Sequence, residues 1–185
     1  MNREGETAST FGFVTITEST ELGYIGGLLL LNRLARPIEF HCTVPVKANR
    51  AQEILYGPTL RSYLCGERIG PALLEKTKVA PQLVFTDQWE LLDARAFVTM
   101  PILFVVPPPN ETPAAELAVP PMSSSAESAS LQLELGSFAL RAHHDFASDA
   151  EMATLIWQQS DVALDLREPF ERIHEAIREA HRSAA

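Results

Sequence analysis

"FGFVTITESTELGYIGGLLLLNRLARPIEFHCTVPV", residues 11–46, decides the fold. Its opening, "FGFVTITES" (11–19), is rich in aromatic and β-branched residues. Phe11, Phe13, Thr15 and Thr17 alternate with Val14 and Ile16, which reads as a strand. "GYIGGLLLLN" (23–32) reads as a second, more buried strand, with Gly26-Gly27 marking a bulge or a close backbone approach. "IEFHCTVPV" (38–46) is the third. Its alternation predicts that Phe40, Cys42 and Val44 face the core, while Glu39, His41 and Thr43 face water or a partner. Pro45 has no N–H for a ladder, so it belongs at an edge, a bulge or the strand's end. Three strands with short connections predict an antiparallel meander at one edge of a sheet.

Downstream the period changes. Asn49 can cap a helix through "RAQEILY", Gly57-Pro58 breaks it, Thr59 can cap "LRSYLC", and Pro71 can open "PALLEKTK". "PQLVFTD" (81–87) reads as a buried strand, "QWELLDARAF" as a short helix and "MPILFVV" (100–106) as another strand. The expected fold class is therefore α/β: a mixed sheet with a three-stranded antiparallel meander, a helical crossover and further strands. Residues 11–106 form this core. A Pro/Ser-rich linker or surface loop follows over 107–130. Residues 131–183 supply a β-hairpin around Gly136-Ser137 and two helices, packed on the same domain. In that hairpin Leu135 faces Phe138 and Leu133 faces Leu140. Leu166, Phe170, Ile173 and Ile177 fall at helical spacing in the last helix.

With 185 residues, 46% of them hydrophobic, the chain suits one domain, or one with a small appendage. The net charge of −9 repels polyphosphate and disfavours nucleic acid as a partner. Cys42 and Cys65 match neither a metal knuckle nor a redox pair and read as buried small hydrophobes. The first ten residues lack an apolar secretory core, and the apolar runs at 24–31 and 101–106 are too short to span a bilayer. A cytoplasmic protein with no membrane contact is expected.

Chemistry has few places to live. Glu39, His41 and Lys47 share the polar side of the third strand, where a histidine beside a carboxylate could act as acid or base. "HHD" at 143–145 offers metal donors, but adjacent strand residues point to opposite faces, which separates His143 from His144. There is no GxSxG and no GK[ST]. Glu67, ahead of a helix, and Asp87, ending a buried strand, form the remaining pair; strand ends are where α/β sheets hold ligands.

The stretch "YGPTLRSYLCGERIGPALLEKTKVAPQLVFTDQWELLDARAF" resembles the central segment of endonuclease V-type enzymes, and the resemblance spans roughly residues 13–106. It implies a ribonuclease H-like fold. On that pattern Tyr56 and Pro58 match the wedge, Glu67 the helix carboxylate, Asp87 the strand carboxylate and Arg95 a later turn. The sequence departs from the family on its first strand, where Thr15 and Thr17 stand in place of a metal-binding Asp. Gln88 follows Asp87 where the family has Gly, and the wedge reads Tyr-Gly-Pro. Divalent-metal hydrolysis needs several carboxylates. The leading expectation is accordingly a non-catalytic binding or assembly domain, without a cofactor, whose partner is another protein or a second copy. Glu39, His41, Lys47 and Tyr56 would face that partner. The alternative is a metal-dependent hydrolase of nucleic acid or nucleotides. In it Glu67 and Asp87 hold Mg or Mn, and His41 or Glu18 completes the catalytic set.

Overall fold

The computed structural model describes residues 9–108, 132–160 and 164–184. Nearly all of the Pro/Ser-rich stretch expected over 107–130 lies outside them, as does most of the polar N-terminal leader. β1 (Thr10–Ser19) and β2 (Gly23–Asn32) pair antiparallel from end to end, Thr10 opposite Asn32 and Ser19 opposite Gly23. β3 (Pro37–Cys42) adds to the free side of β2 and completes the meander. β4 (Leu83–Thr86) lies parallel to β1, and β5 (Ile102–Val105) parallel to β4. β6 (Gln132–Leu135) and β7 (Phe138–Ala142) form the expected hairpin, Leu135 opposite Phe138 and Leu133 opposite Leu140, and β7 joins β5 antiparallel. Gly136 takes a φ of 61°, which its missing Cβ permits. The product is one mixed seven-stranded sheet, ordered β3-β2-β1-β4-β5-β7-β6.

The crossover from β3 to β4 is segmented but continuous. α1 (Arg50–Tyr56) starts at a capping box: the Asn49 side chain accepts from Gln52 N–H at 2.9 Å, and the Gln52 side chain accepts from Asn49 N–H at 3.0 Å. A 3-10 turn (Gly57–Thr59), α2 (Leu60–Ser62), a π-helical stretch (Tyr63–Ile69) and α3 (Gly70–Leu74) follow head to tail. Thr59 does not cap; its hydroxyl donates back to Tyr56 O at 2.9 Å. After β4 comes a 3-10 helix (Trp89–Ala96). After β7 come a 3-10 turn (His144–Phe146), α4 (Ser148–Ser160) and α5 (Glu168–Ala184).

Alternation along β1 divides the core into two layers. Phe11 and Phe13 join Phe85, Phe170, Ile173 and Ile177 under α4 and α5. Val14 and Ile16 join Leu28, Leu30, Ile69 and Leu91 under the crossover. Gly26 and Gly27 are the close approach the sequence suggests. A Cβ on Gly26 would collide with Ile69 and come 2.9 Å from Leu73, on the crossover side. One on Gly27 would collide with Ile173 and come 2.9 Å from Ile177. Helices rest directly on the β2 backbone on both faces.

β3 corrects one expectation outright. Phe40, Cys42 and Ile38 are exposed, and Val44 beyond the strand is exposed too, while Glu39 and His41 are half-buried. Alternation fixed two faces but not which one is covered. α5 packs chiefly on β1 and β2, and among the described residues the apolar side of this edge strand stays exposed. Glu39 instead turns toward the crossover layer. There it accepts from Lys78 N–H at 3.1 Å and Val79 N–H at 2.9 Å, and meets His41 Nε2 at 2.8 Å. Cys65 is buried as expected; Cys42 is not.

Candidate active site

The chain leaves β1 toward β2 on one side, and β4 toward β5 on the other. β1 and β4 are parallel neighbours, so their carboxyl ends come side by side, where α/β sheets hold ligands; this is the candidate crevice. Val14 pairs with Thr86, so the next residue of β4's chain, Asp87, comes level with Thr15. His174 reaches this end from α5. Its Nδ1 lies 2.9 Å from Thr17 Oγ1, its Nε2 lies 3.4 Å from Thr15 Oγ1, and Asp87 Oδ2 is 3.8 Å from Nε2. Asp87 and His174 are both partly open to solvent. The other carboxylate oxygen, Asp87 Oδ1, is buried and accepts no hydrogen bond among the described residues. An orphaned carboxylate oxygen is costly unless something outside the chain completes it. Where Nδ1 donates to Thr17, Nε2 is the acceptor nitrogen and faces Thr15 Oγ1 and Asp87.

Across the sheet, Arg61 binds the same strand ends from the crossover. Its Nη1 donates to Glu18 Oε2 at 2.6 Å, its Nη2 to Gln88 Oε1 at 2.9 Å, and its Nε lies 2.8 Å from Glu90 Oε1. That fork ties the end of β1 to the segment after β4. Cys65 lies beneath it, where burial pushes its thiol up to about 12, and this leaves no nucleophilic thiolate. Tyr24 is raised too, by burial and then by Glu18.

The residues singled out by sequence are dispersed. Glu67 is exposed on the π-helical stretch, close enough to Tyr56 to help raise its hydroxyl pKa, and it shares no partner with Asp87. Tyr56 stacks on Tyr63, centroids 4.1 Å apart and 20° from coplanar. The hydrogen bond between their hydroxyls is the first cause of Tyr56's raised pKa. Glu39 and His41 pair on β3 and anchor the loop before β4, and Lys47 is exposed. Arg95 binds buried Asp149 through two bonds, 2.6 and 3.1 Å, and ties the 3-10 helix to α4. Among the described residues, one group of three metal-donor side chains lies close enough for a single ion: His143, His144 and Asp145. Neither Glu67 nor Asp87 belongs to it. His174, Thr17 and Arg61 were missed. The available signal was His174's place four residues after Phe170, on the flank of the buried stripe of α5.

No protein-family model matches the chain, and no curated protein matches it. Solved structures do. A variant of Ciona intestinalis endonuclease V, in complex with a 23mer DNA containing an inosine followed by a ribo-adenosine, is 11% identical with a TM-score of 0.47. That match covers 97% of this chain and 88% of that one. Human ENDOV is 12% identical with a TM-score of 0.45, covering 97% and 87%. The likeness is a weak one, at the level of fold. Two expectations are corrected by these matches. The similar structures are nucleic-acid-processing enzymes, against a non-catalytic binding domain. They also include DNA complexes, against nucleic acid being disfavoured. A net charge of −9 is a property of the whole chain and does not fix the potential at one crevice. Among the described residues no helix is long and apolar enough to cross a membrane.

Proposed function

We propose that this chain is a hydrolase of phosphodiester bonds in nucleic acid, with its reactive groups at the carboxyl ends of β1 and β4. The observation that carries the reading is the buried, unpartnered Oδ1 of Asp87, beside His174 in the crevice. One carboxylate and one imidazole do not make a closed cage. They do fit a Mg or Mn ion held by a single carboxylate and completed by substrate phosphate, so the several carboxylates expected from the sequence are not required. Asp87 would hold that ion. When bound, such an ion neutralises charge developing on the phosphoryl oxygens and lowers the pKa of water.

His174 supplies the base. Thr17 fixes the ring through Nδ1, which leaves Nε2 directed toward Asp87 and the crevice. Nε2 takes a proton from the attacking water. The new P–O bond forms as the bond to the leaving oxygen breaks, and that oxygen, on the opposite side of phosphorus, takes its proton from solvent. The Tyr56–Tyr63 stack, at the junction of α1 with the rest of the crossover, presents an aromatic face suited to an unpaired base.

The test is cleavage of end-labelled oligonucleotides, single-stranded, duplex and inosine-containing, with Mg or Mn. Cleavage should appear with the cation and fall about 10²-fold or more in both Asp87→Asn and His174→Ala. Thr17→Val should cost less, since it only orients the ring. Absence of cleavage on every substrate with either cation, or activity that survives Asp87→Asn, ends the reading.

A further inference from the structure

We propose that His143, His144 and Asp145 bind a divalent transition-metal ion of the zinc type, at a site separate from the Asp87 crevice. Strand geometry would send the two histidines to opposite faces. The backbone does not continue as a strand. β7 ends at Ala142, His143 stays extended at φ −66° and ψ 142°, and the 3-10 turn His144–Phe146 begins at once. That turn brings both imidazoles to one side, ring centroids 4.2 Å apart and tilted by 30°. One donor atom from each of His143, His144 and Asp145 lies within 4.8 Å of the other two. His144 Nε2 is 3.4 Å from Asp145 Oδ2. Tetrahedral ligands about 2.05 Å from zinc stand about 3.3 Å apart, so this pair is spaced for one ion.

The tautomer of His143 is set by its partners. Nε2 faces Asp93 Oδ1 at 3.3 Å, and Nδ1 accepts from the backbone N–H of Asp145 at 3.1 Å. The proton therefore sits on Nε2, and an ion takes the Nδ1 lone pair in place of that Asp145 N–H. A carboxylate on the far nitrogen is the usual support of a metal-bound histidine. Asp93 is the positioning residue here, and it is itself held in place: a Cβ on Gly66 would come 2.6 Å from Asp93 Cβ, so the π-helical stretch lies hard against it. His143 is buried, while His144 and Asp145 are exposed, which gives an ion entry and leaves a coordination position open to water.

The local charge favours a dication. Neither Asp93 nor Asp145 has a Lys or Arg partner among the described residues. The neighbouring cation, Arg95, lies over the Phe146 ring at 4.3 Å, but its charge is answered by Asp149. Imidazole with carboxylate selects zinc and its neighbours over magnesium or calcium.

The experiment uses tag-free, EDTA-stripped full-length protein titrated with Co²⁺ and then Zn²⁺. One equivalent of Co²⁺ should give the visible absorption of a tetrahedral ion, and Zn²⁺ should bleach it. The band should be lost in His144→Ala and in Asp145→Asn, both exposed positions whose folding is checked by far-UV circular dichroism. Asp93→Asn keeps every donor and should weaken Zn²⁺ about 10- to 100-fold. Asp87→Asn should leave the band unchanged. Absence of the band in the parent protein overturns the site, as does a band that survives both exposed substitutions or disappears in Asp87→Asn.

Discussion

Arg95 and Asp149 show how much one residue pair carries. Asp149 is wholly buried, and both of its carboxylate oxygens are held by one guanidinium. Arg95→Ala leaves that charge unpaired in the core, and urea denaturation should show a loss of about 3–5 kcal/mol. Removing Asp149 as well should return part of the loss, the sign of a coupled pair. The two cysteines should separate as cleanly. Cys42 is exposed on an edge strand, whereas Cys65 is buried with its thiol raised to about 12. Iodoacetamide at pH 8 should label Cys42 in the folded protein and reach Cys65 only on denaturation, read by peptide mass spectrometry. Neither residue's environment is written locally. Two cysteines in similar apolar patterns meet opposite fates because the helical stretch carrying Cys65 packs on the sheet, while the side of β3 carrying Cys42 is exposed.

At the scale of elements, β3 is held by its polar side. Glu39 accepts from His41 and from the N–H groups of Lys78 and Val79, and it thereby ties the edge strand to the loop that delivers β4. These bonds, first that of His41 and then that of Lys78, lower its pKa below the ordinary 4.5. A depressed carboxylate pKa stabilises the fold above the ordinary value, and the contribution is lost as pH falls through the folded value. Glu39→Gln should therefore leave less acid sensitivity below pH 4.5 than the parent chain shows, in melting temperatures followed from pH 6 to pH 3. An unchanged slope would mean that these contacts are absent in solution. The capping box of Asn49 and Gln52 and the hairpin at Gly136-Ser137 were legible in the sequence, because both depend on neighbours within a few residues. The break at Gly57-Pro58 was legible too: α1 ends at Tyr56, and Gly57 caps it at a φ of 48°. What resumes the crossover beyond it is tertiary, since the next segments are pinned to the sheet by Cys65, Ile69 and Leu73.

Among the described residues the sheet has a protected centre and two edge strands. β1, β4 and β5 are flanked on both sides by strands and carry almost wholly buried residues, whereas β3 and β6 are edges. Amide exchange followed by mass spectrometry should be slowest in β1, β4 and β5 and fastest in β3 and β6. Slow exchange in β3 would mean that its free edge and its exposed Ile38 and Phe40 are covered in solution. The candidate crevice lies at the end of the protected strands, so its groups are set on the most rigid part of the fold. His174 arrives from α5 and Arg61 from α2.

The sequence by itself determined the strands, the meander, the α/β class and the hairpin register. These follow from periods of two and from turn chemistry, which act over a few residues. Tertiary structure alone decided which side of β3 is covered and which groups converge. Thr17 and His174 stand 157 positions apart, and no local pattern encodes their meeting. That depends on where α5 comes to rest, and two glycines on β2 allow it to come so close.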